Sequence, residues 1–219
     1  MITLFGAPGA GKTIQGQLLA RKYGWRWVSY RDLLMGLNDK DIVFALEHGL
    51  FIDDKKATKA VAELLSKIDG GRHITVHNKS SILRTTNSAQ TETILDGFPA
   101  DYRQLKWMVD NRQIDNLEGA IVLRVPRGEL WRRLVLRKRV DDTRAAIERR
   151  QDAYERNITG MIKTLKTNGV PVREVDGGNS PQDVLVRIED VLADWGLVPK
   201  KQYAKISKST TPLHNHLIR

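Results

Sequence analysis

The hydrophobic positions of the chain alternate between short continuous runs and longer stretches with helical spacing. The continuous runs predict strands at residues 3–5, 25–30, 91–96, 119–125 and 170–175. Apolar residues spaced by three and four predict helices at residues 12–23, 57–68, 102–111, 129–137, 143–167 and 181–195. The polar, Ser/Thr-rich segment 72–89 fits neither pattern, although residues 73–77 could form a strand. Strands that alternate with helices along the whole chain favour a mostly parallel sheet.

The ends of these elements carry residues that suit them. Gly24 follows the first predicted helix and Gly196 the last, where glycine is the usual residue after a helix. Ser180 and Pro181 occupy the cap and first position of the last helix, and Asp183 complements its positive end. The sequence therefore predicts an α/β fold of three layers, in which helices flank a five-stranded parallel sheet.

The composition indicates a single domain inside the cell. A chain of 219 residues with 41% hydrophobic content is long enough for one full core. Its apolar runs are too short to cross a bilayer, and its first residues lack the pattern of a secretory signal. The absence of cysteine excludes disulfides and thiolate zinc sites. We expect a cytoplasmic protein that makes no contact with membranes.

The positive charge is concentrated towards the end of the chain. The net charge is +10, and residues 199–219 contain five basic and no acidic side chains, which is half of the excess. We expect this segment to be a disordered basic tail. The alternative is an electrostatic contact with nucleic acid, which we do not expect.

The strongest chemical signal is a glycine-rich segment directly after the first predicted strand. It matches the pattern G-x-x-x-x-G-K-T/S in full and reads Gly6-Ala7-Pro8-Gly9-Ala10-Gly11-Lys12-Thr13. Glycines let the backbone curl so that amides point at phosphate oxygens, and the next helix adds its positive end. Lys12 would reach the β- and γ-phosphates, and the Thr13 hydroxyl would ligate Mg²⁺. The sequence therefore predicts a P-loop NTPase fold that binds ATP and Mg²⁺.

Four segments of the chain occur in a familiar order and spacing. They are the glycine loop followed by Gln15, then Asp96-Gly97-Phe98-Pro99, then Arg139-Val140-Asp141-Asp142 with Arg150 and Tyr154 downstream, and last Gly177-Gly178-Asn179-Ser180-Pro181. Together they resemble the adenylate kinases and other nucleoside monophosphate kinases, over residues 1 to about 197. The resemblance implies phosphoryl transfer from ATP to a nucleoside monophosphate, with AMP as the default acceptor. It further implies a kinase core at 1–198, an acceptor-binding insertion at about 30–89 and a very short lid at about 137–142.

The resemblance also implies roles for individual residues. Those implied to be catalytic are Lys12, Arg137, Arg139, Arg150 and Asp96, with Thr13 and Asp96 near the metal. Those implied to bind ATP are Gly6, Ala7, Pro8, Gly9, Ala10, Gly11, Lys12, Thr13, Ile14, Arg133, Ser180 and Pro181, with Arg133 stacked on the adenine. Asp141 and Asp142 would hold the arginines and the closed lid.

Arginine suits this reaction because guanidinium is always charged and binds two oxygens at once, while phosphoryl transfer needs mainly charge stabilisation. Ten basic residues lie between positions 124 and 150. The alternative explanation is a helix surface covered with ion pairs. We expect about half of the ten to be such surface charges.

The acceptor side departs from the family pattern. The two arginines that grip the acceptor's phosphate correspond here to Met35 and Ala100. Asp32 and Gln104 keep their usual places, and Arg31 and Arg103 lie near enough in sequence to replace the lost charges. The resemblance implies that Asp32, Arg31, Gln104, Arg103, Arg139 and Arg150 bind the acceptor.

Two further departures affect the phosphate side. Almost nothing separates Arg137 from Asp141, so the lid is too short to exclude water well, and we expect slow hydrolysis of ATP. The family usually has Lys-Gly-Thr-Gln where this chain has Lys12-Thr13-Ile14-Gln15, which moves the hydroxyl next to the lysine. Magnesium would then be held more directly.

Three functions stay open from the sequence. The first is a nucleoside monophosphate kinase, and the second is a kinase of a different small acceptor. The third is an ATP-binding regulatory or nucleic-acid-associated module with weak or no kinase activity. We expect a monomer in each case.

Overall fold

Five parallel strands form one sheet in the computed structural model, which describes residues 1–50, 52, 54–69, 92–137, 139 and 142–200. The strands are β1 (Ile2–Gly6), β2 (Arg26–Ser29), β3 (Thr93–Asp96), β4 (Gly119–Arg124) and β5 (Val172–Asp176). Their order in the sheet is β2-β3-β1-β4-β5. The predicted α/β fold with a five-stranded parallel sheet is therefore confirmed.

Eight α-helices connect and flank the strands within the described residues. They are α1 (Lys12–Tyr23), α2 (Tyr30–Met35), α3 (Lys40–His48), α4 (Asp54–Asp69), α5 (Tyr102–Asp110), α6 (Arg127–Arg137), α7 (Arg144–Thr167) and α8 (Pro181–Asp194). A 3₁₀ turn, Gln113–Asn116, precedes β4. No helix in this part of the chain is both long and apolar enough for a membrane span.

The six helices predicted from the sequence are confirmed to within a few residues, but the prediction for residue 30 is wrong. Tyr30 was expected to end the second strand, and it begins α2 instead. The reason is local, because the Ser29 side chain accepts a hydrogen bond from the Asp32 amide and so caps the helix. The prediction for residues 72–89 and that for most of the tail at 199–219 lie outside the described residues.

Side chains alternate between two cores, one on each face of the sheet. From β1, Ile2 and Leu4 enter the core that α1, α6 and α8 cover, while Phe5 enters the opposite one. The opposite core receives residues from α2, α3, α4, α5 and α7. In β4 the first five residues are buried, as expected for a strand with helices on both faces. The result is the predicted three-layer arrangement.

The carboxyl ends of the strands meet at one edge of the sheet. Leu4 and Ser29 both lie opposite Asp96, and Gly6 lies opposite Leu123. From β1 the chain goes to β2 on one side and later to β4 and β5 on the other, so the strand order reverses at β1. In open parallel sheets this reversal point, at the carboxyl ends, is where ligands bind.

Candidate active site

The loop between β1 and α1 forms a curled backbone that leads into the amino end of α1. Gly9 and Gly11 have φ values of +88° and +94°, which favour glycine. A Cβ on Gly9 would lie 3.0 Å from the Leu130 carbonyl oxygen, so a larger residue would push the loop away from α6. The amino end of α1 has no capping side chain and no acid in its first turn. The backbone amides of its first turn and the positive end of its dipole therefore favour an anion bound in the loop.

Lys12 lies across this loop. Its ammonium donates to the carbonyl oxygens of Gly6 and Ala7 at 2.6 and 3.3 Å. Burial lowers the pKa of Lys12, Asp96 opposes this effect, and the positive charges of Arg137 and Arg150 lower the pKa further. The structure therefore brings two of the predicted arginines into electrostatic contact with the predicted lysine.

Thr13 and Asp96 form a pair beside the loop, at the ends of α1 and β3. The Thr13 hydroxyl donates to an Asp96 carboxylate oxygen at 2.7 Å. Burial raises the pKa of Asp96, while Lys12 and the Thr13 hydrogen bond act against the increase and nearby Asp32 adds to it.

A hydroxyl and a carboxylate are the oxygen donors that Mg²⁺ takes when phosphates and water supply its other ligands. The pair therefore fits the metal that the sequence predicts. No cluster of three or more His, Cys, Asp or Glu side chains suited to a metal occurs in the described part of the chain. Any metal would accordingly depend on phosphate oxygens as well.

Asp142 joins two of the predicted arginines. Arg137 donates two hydrogen bonds to its carboxylate at 2.8 and 2.7 Å, and Arg150 donates one at 2.9 Å. The Asp142 side chain is only 2% exposed. Burial alone would raise the pKa of Asp142, but the two guanidinium groups outweigh it and lower the pKa. Asp141 lies outside the described residues, and Arg139 is exposed.

Arg133 and the loop before α8 form the side predicted to bind the adenine. The Arg133 guanidinium donates to Glu129 at 2.7 Å and to the Gly178 carbonyl at 3.1 Å. The Ser180 side chain caps α8, as predicted. Gln15 is buried and its amide donates to the Pro181 carbonyl at 2.9 Å, which ties this loop to α1. Ile14, beside them on α1, is about half exposed.

Gln104 on the acceptor side is buried and has partners for both ends of its amide. Its nitrogen donates to the Tyr30 hydroxyl at 2.8 Å, and its oxygen accepts from the Ala100 amide at 2.7 Å. The sequence placed Gln104 at this site but did not reveal its pairing with Tyr30. Tyr30 begins α2, and no local spacing in the sequence links it to a residue 74 positions away.

The two candidate replacement arginines differ in their surroundings. Arg31, in α2, is half-buried, whereas the Arg103 side chain is 54% exposed and lies 3.3 Å from an Asp101 carboxylate oxygen. Asp32 is half-buried and acts electrostatically on Asp96. Met35 is half-buried at the end of α2, and Ala100 is exposed. The side chains at positions 35 and 100 therefore offer no charge to an acceptor.

Comparison with known proteins agrees with the predicted family and fold. Residues 2–155 match a family model described as an AAA domain. An adenylate kinase of Prochlorococcus marinus (strain NATL1A) is 29% identical over 186 residues, which cover 84% of this chain and 93% of that protein. An adenylate kinase of Leifsonia xyli subsp. xyli (strain CTCB07) is 28% identical over 90% of this chain and 94% of its own length. One of Micrococcus luteus is 27% identical over 84% and 86%. The resemblance inferred from the sequence is confirmed.

Proposed function

We infer that this chain, which belongs to the AAA domain family of P-loop proteins, is a nucleotide kinase that transfers the γ-phosphoryl group of ATP to a nucleoside monophosphate. AMP is the acceptor we expect. The observation that carries the proposal is the curled glycine loop across which Lys12 lies, with the Thr13–Asp96 pair beside it. Backbone amides, a lysine and a hydroxyl–carboxylate pair in one place suit a triphosphate with its Mg²⁺.

The proposed mechanism assigns the chain's residues to binding and charge stabilisation. The loop amides and Lys12 would hold the β- and γ-phosphates, and Thr13 and Asp96 would hold Mg²⁺, which when bound offsets phosphate charge. An oxygen of the acceptor's phosphate attacks the γ-phosphorus while the bond to the β–γ bridging oxygen breaks, which releases ADP. Arg137, Arg139 and Arg150 would neutralise the charge that spreads over the moving group.

The hydrogen bonds of the arginines support this assignment of roles. Asp142 orients Arg137 and Arg150 through hydrogen bonds, and oriented charges need little reorganisation during a reaction. Arg133 and Ser180 would border the adenine. The same proposal retains the kinase core, the acceptor insertion and the short lid at their predicted limits, and a cytoplasmic monomer.

A second candidate is a kinase of a different small acceptor. Both ends of the Gln104 amide already have partners, so this side chain has less capacity to recognise a base. Uncharged Met35 and Ala100 weaken the grip on a phosphate. Both observations concern the acceptor alone and leave the ATP side of the proposal unchanged.

The deciding experiment supplies Mg-ATP with AMP, CMP, UMP, GMP or dAMP in turn and follows diphosphate formation. Turnover with any of them supports the first proposal. Binding of an ATP analogue and turnover only with other small acceptors would favour the second, and binding without turnover would favour the regulatory module. Lys12→Ala is the control and should abolish transfer, because the phosphates lose their central cation.

A further inference from the structure

The carboxyl end of α3 lies on α7, the helix that carries Arg150. The Arg149 guanidinium donates through Nε and Nη2 to the His48 carbonyl oxygen at 3.2 and 2.6 Å, across 101 residues of sequence. His48 is the last residue of α3, where carbonyls lack partners within the helix and the dipole is negative. A guanidinium is well suited to that position.

Gly49 brings the backbone even closer to α7. Its φ is +62°, and a Cβ there would lie 2.8 Å from the Ala146 carbonyl oxygen and 3.2 Å from Arg150 Cγ. A residue with a side chain would therefore be strained in conformation and would also collide with α7. The segment after α3 thus touches the side chain of an arginine that Asp142 holds.

The contact of Arg149 differs from those of its neighbours. Arg132 and Arg144 pair with carboxylates three and four residues away on their own helices. Arg149 instead binds a backbone carbonyl of another element. Ion pairs within one helix stabilise that helix alone, whereas this hydrogen bond sets the distance between two helices.

We propose that Arg149 is a positioning residue that, with Gly49, holds the acceptor insertion against α7, so that the acceptor meets Arg150 at a fixed place. This inference rests on the proposed function. Of the elements that contact α7, α3 belongs to the predicted acceptor insertion, so its contact can hold the acceptor near the arginines. Within the described residues this insertion contains α2, α3 and α4, and the hydrogen bond from α7 anchors its middle helix.

The test compares Arg149→Met, which keeps the aliphatic stem but loses both donors, with Arg149→Lys, which keeps a charged donor. Arg156→Met on the same helix is the matched control, because Arg156 is exposed and lies outside the proposed site. Arg149→Met should raise the acceptor's KM roughly three- to tenfold, as expected for loss of a charge-assisted hydrogen bond at the surface, with little change in kcat. Arg149→Lys should restore part of the loss, and the affinity for an ATP analogue should stay the same in all three.

A second measurement does not depend on turnover. Hydrogen exchange of the amides at residues 40–50 should become faster in Arg149→Met and in Gly49→Ala, and should remain unchanged in Arg156→Met. Unchanged exchange in both Arg149→Met and Gly49→Ala would refute the docking contact. Faster exchange with an acceptor KM within twofold of the wild type would refute the positioning role.

The two proposals fail in different ways. If the wild type transfers phosphate to no acceptor, the kinase assignment is wrong and the positioning role falls with it, while exchange still reports whether the contact exists. If the wild type is active and Arg149→Met behaves like Arg156→Met, only the positioning role is wrong.

Discussion

Asp142 is the residue on which the arrangement of the arginines depends. Its carboxylate is 2% exposed and accepts from both Arg137 and Arg150. Asp142→Asn would keep the size of the side chain and remove the negative charge that both guanidinium groups share. We expect a loss of about 1–3 kcal/mol in the free energy of unfolding at pH 7, below the value for a fully buried pair because both arginines reach solvent. Transfer activity should fall as well, because the arginines lose their orientation.

The effect of Asp142→Asn on stability should depend on pH. The folded protein lowers the pKa of Asp142 below its ordinary value, so the carboxylate stabilises the fold at pH values above about 4. That contribution is lost as the pH falls through the folded pKa. Urea unfolding at pH 7 and at about pH 3 should therefore show the difference between variant and wild type shrinking in acid. Asp152→Asn is the control, since Asp152 is half exposed and lies 3.6 Å from Arg127. A difference of the same size at both pH values would contradict the prediction.

The family has two arginines at the positions that Met35 and Ala100 occupy in this chain. Our hypothesis is that Arg31 and Arg103 replace them. If they bind the acceptor's phosphate, Arg31→Ala and Arg103→Ala should each raise the acceptor's KM by roughly tenfold, as for loss of one charge-assisted hydrogen bond. Steady-state kinetics at saturating ATP measures this. Arg112→Ala is a suitable control, because Arg112 is exposed and pairs with Asp115 away from the site. A change below twofold at both positions would show that the acceptor is held in another way.

At the scale of elements, the packing of β4 against the end of α8 depends on Gly119, which has no side chain. A Cβ on Gly119 would lie 2.2 Å from the Trp195 ring, so Gly119→Ala should displace the tryptophan and cost about 1–3 kcal/mol of unfolding free energy. In a Trp195→Leu background the same change should cost less, because the two positions are coupled. Gly128→Ala serves as the control, since nothing lies within 4 Å of a Cβ there. Additive effects of Gly119→Ala and Trp195→Leu in urea unfolding would count against the contact.

Hydrophobic spacing predicts the elements that pack on both faces of the sheet, because a buried helix or strand must repeat its apolar residues. It does not reveal α2 and α3, which are short and only partly buried. The caps of α3 are nevertheless present in the sequence, since Asp39 precedes its first residue and Gly49 follows its last. The phosphate loop could be predicted because its chemistry is contained in eight consecutive residues.

The acceptor side could be predicted less well, because it is built from contacts between distant parts of the chain. Gln104 and Tyr30 are 74 residues apart, and Arg149 and His48 are 101. No local spacing indicates either pair. The resemblance to the family assigns Gln104 to the acceptor site. The hydrogen bond of its amide nitrogen, however, depends on which residue occupies position 30.

At the scale of the whole molecule, the basic residues have several kinds of partner. Of the ten basic residues between positions 124 and 150, four form ion pairs with carboxylates at the surface, namely Arg124, Arg127, Arg132 and Arg144. Arg137 and Arg150 meet at Asp142, and Arg133 and Arg149 donate to backbone carbonyls. The charges of this region are therefore divided between ion pairs at the surface and contacts that hold other elements in place.

The short connection between α6 and α7 affects the whole reaction, because the sequence predicts the lid at this position. Arg137 ends α6 and Arg144 begins α7, so six residues join them. A segment of that length cannot form a separate domain over the phosphates, and water should reach the γ-phosphorus when no acceptor is bound. We expect slow hydrolysis of Mg-ATP in the absence of acceptor, measured as phosphate release from purified protein. Lys12→Ala sets the background, because it removes the cation that holds the phosphates. Phosphate release no faster than in Lys12→Ala would contradict the expectation that the short connection leaves the γ-phosphorus open to water.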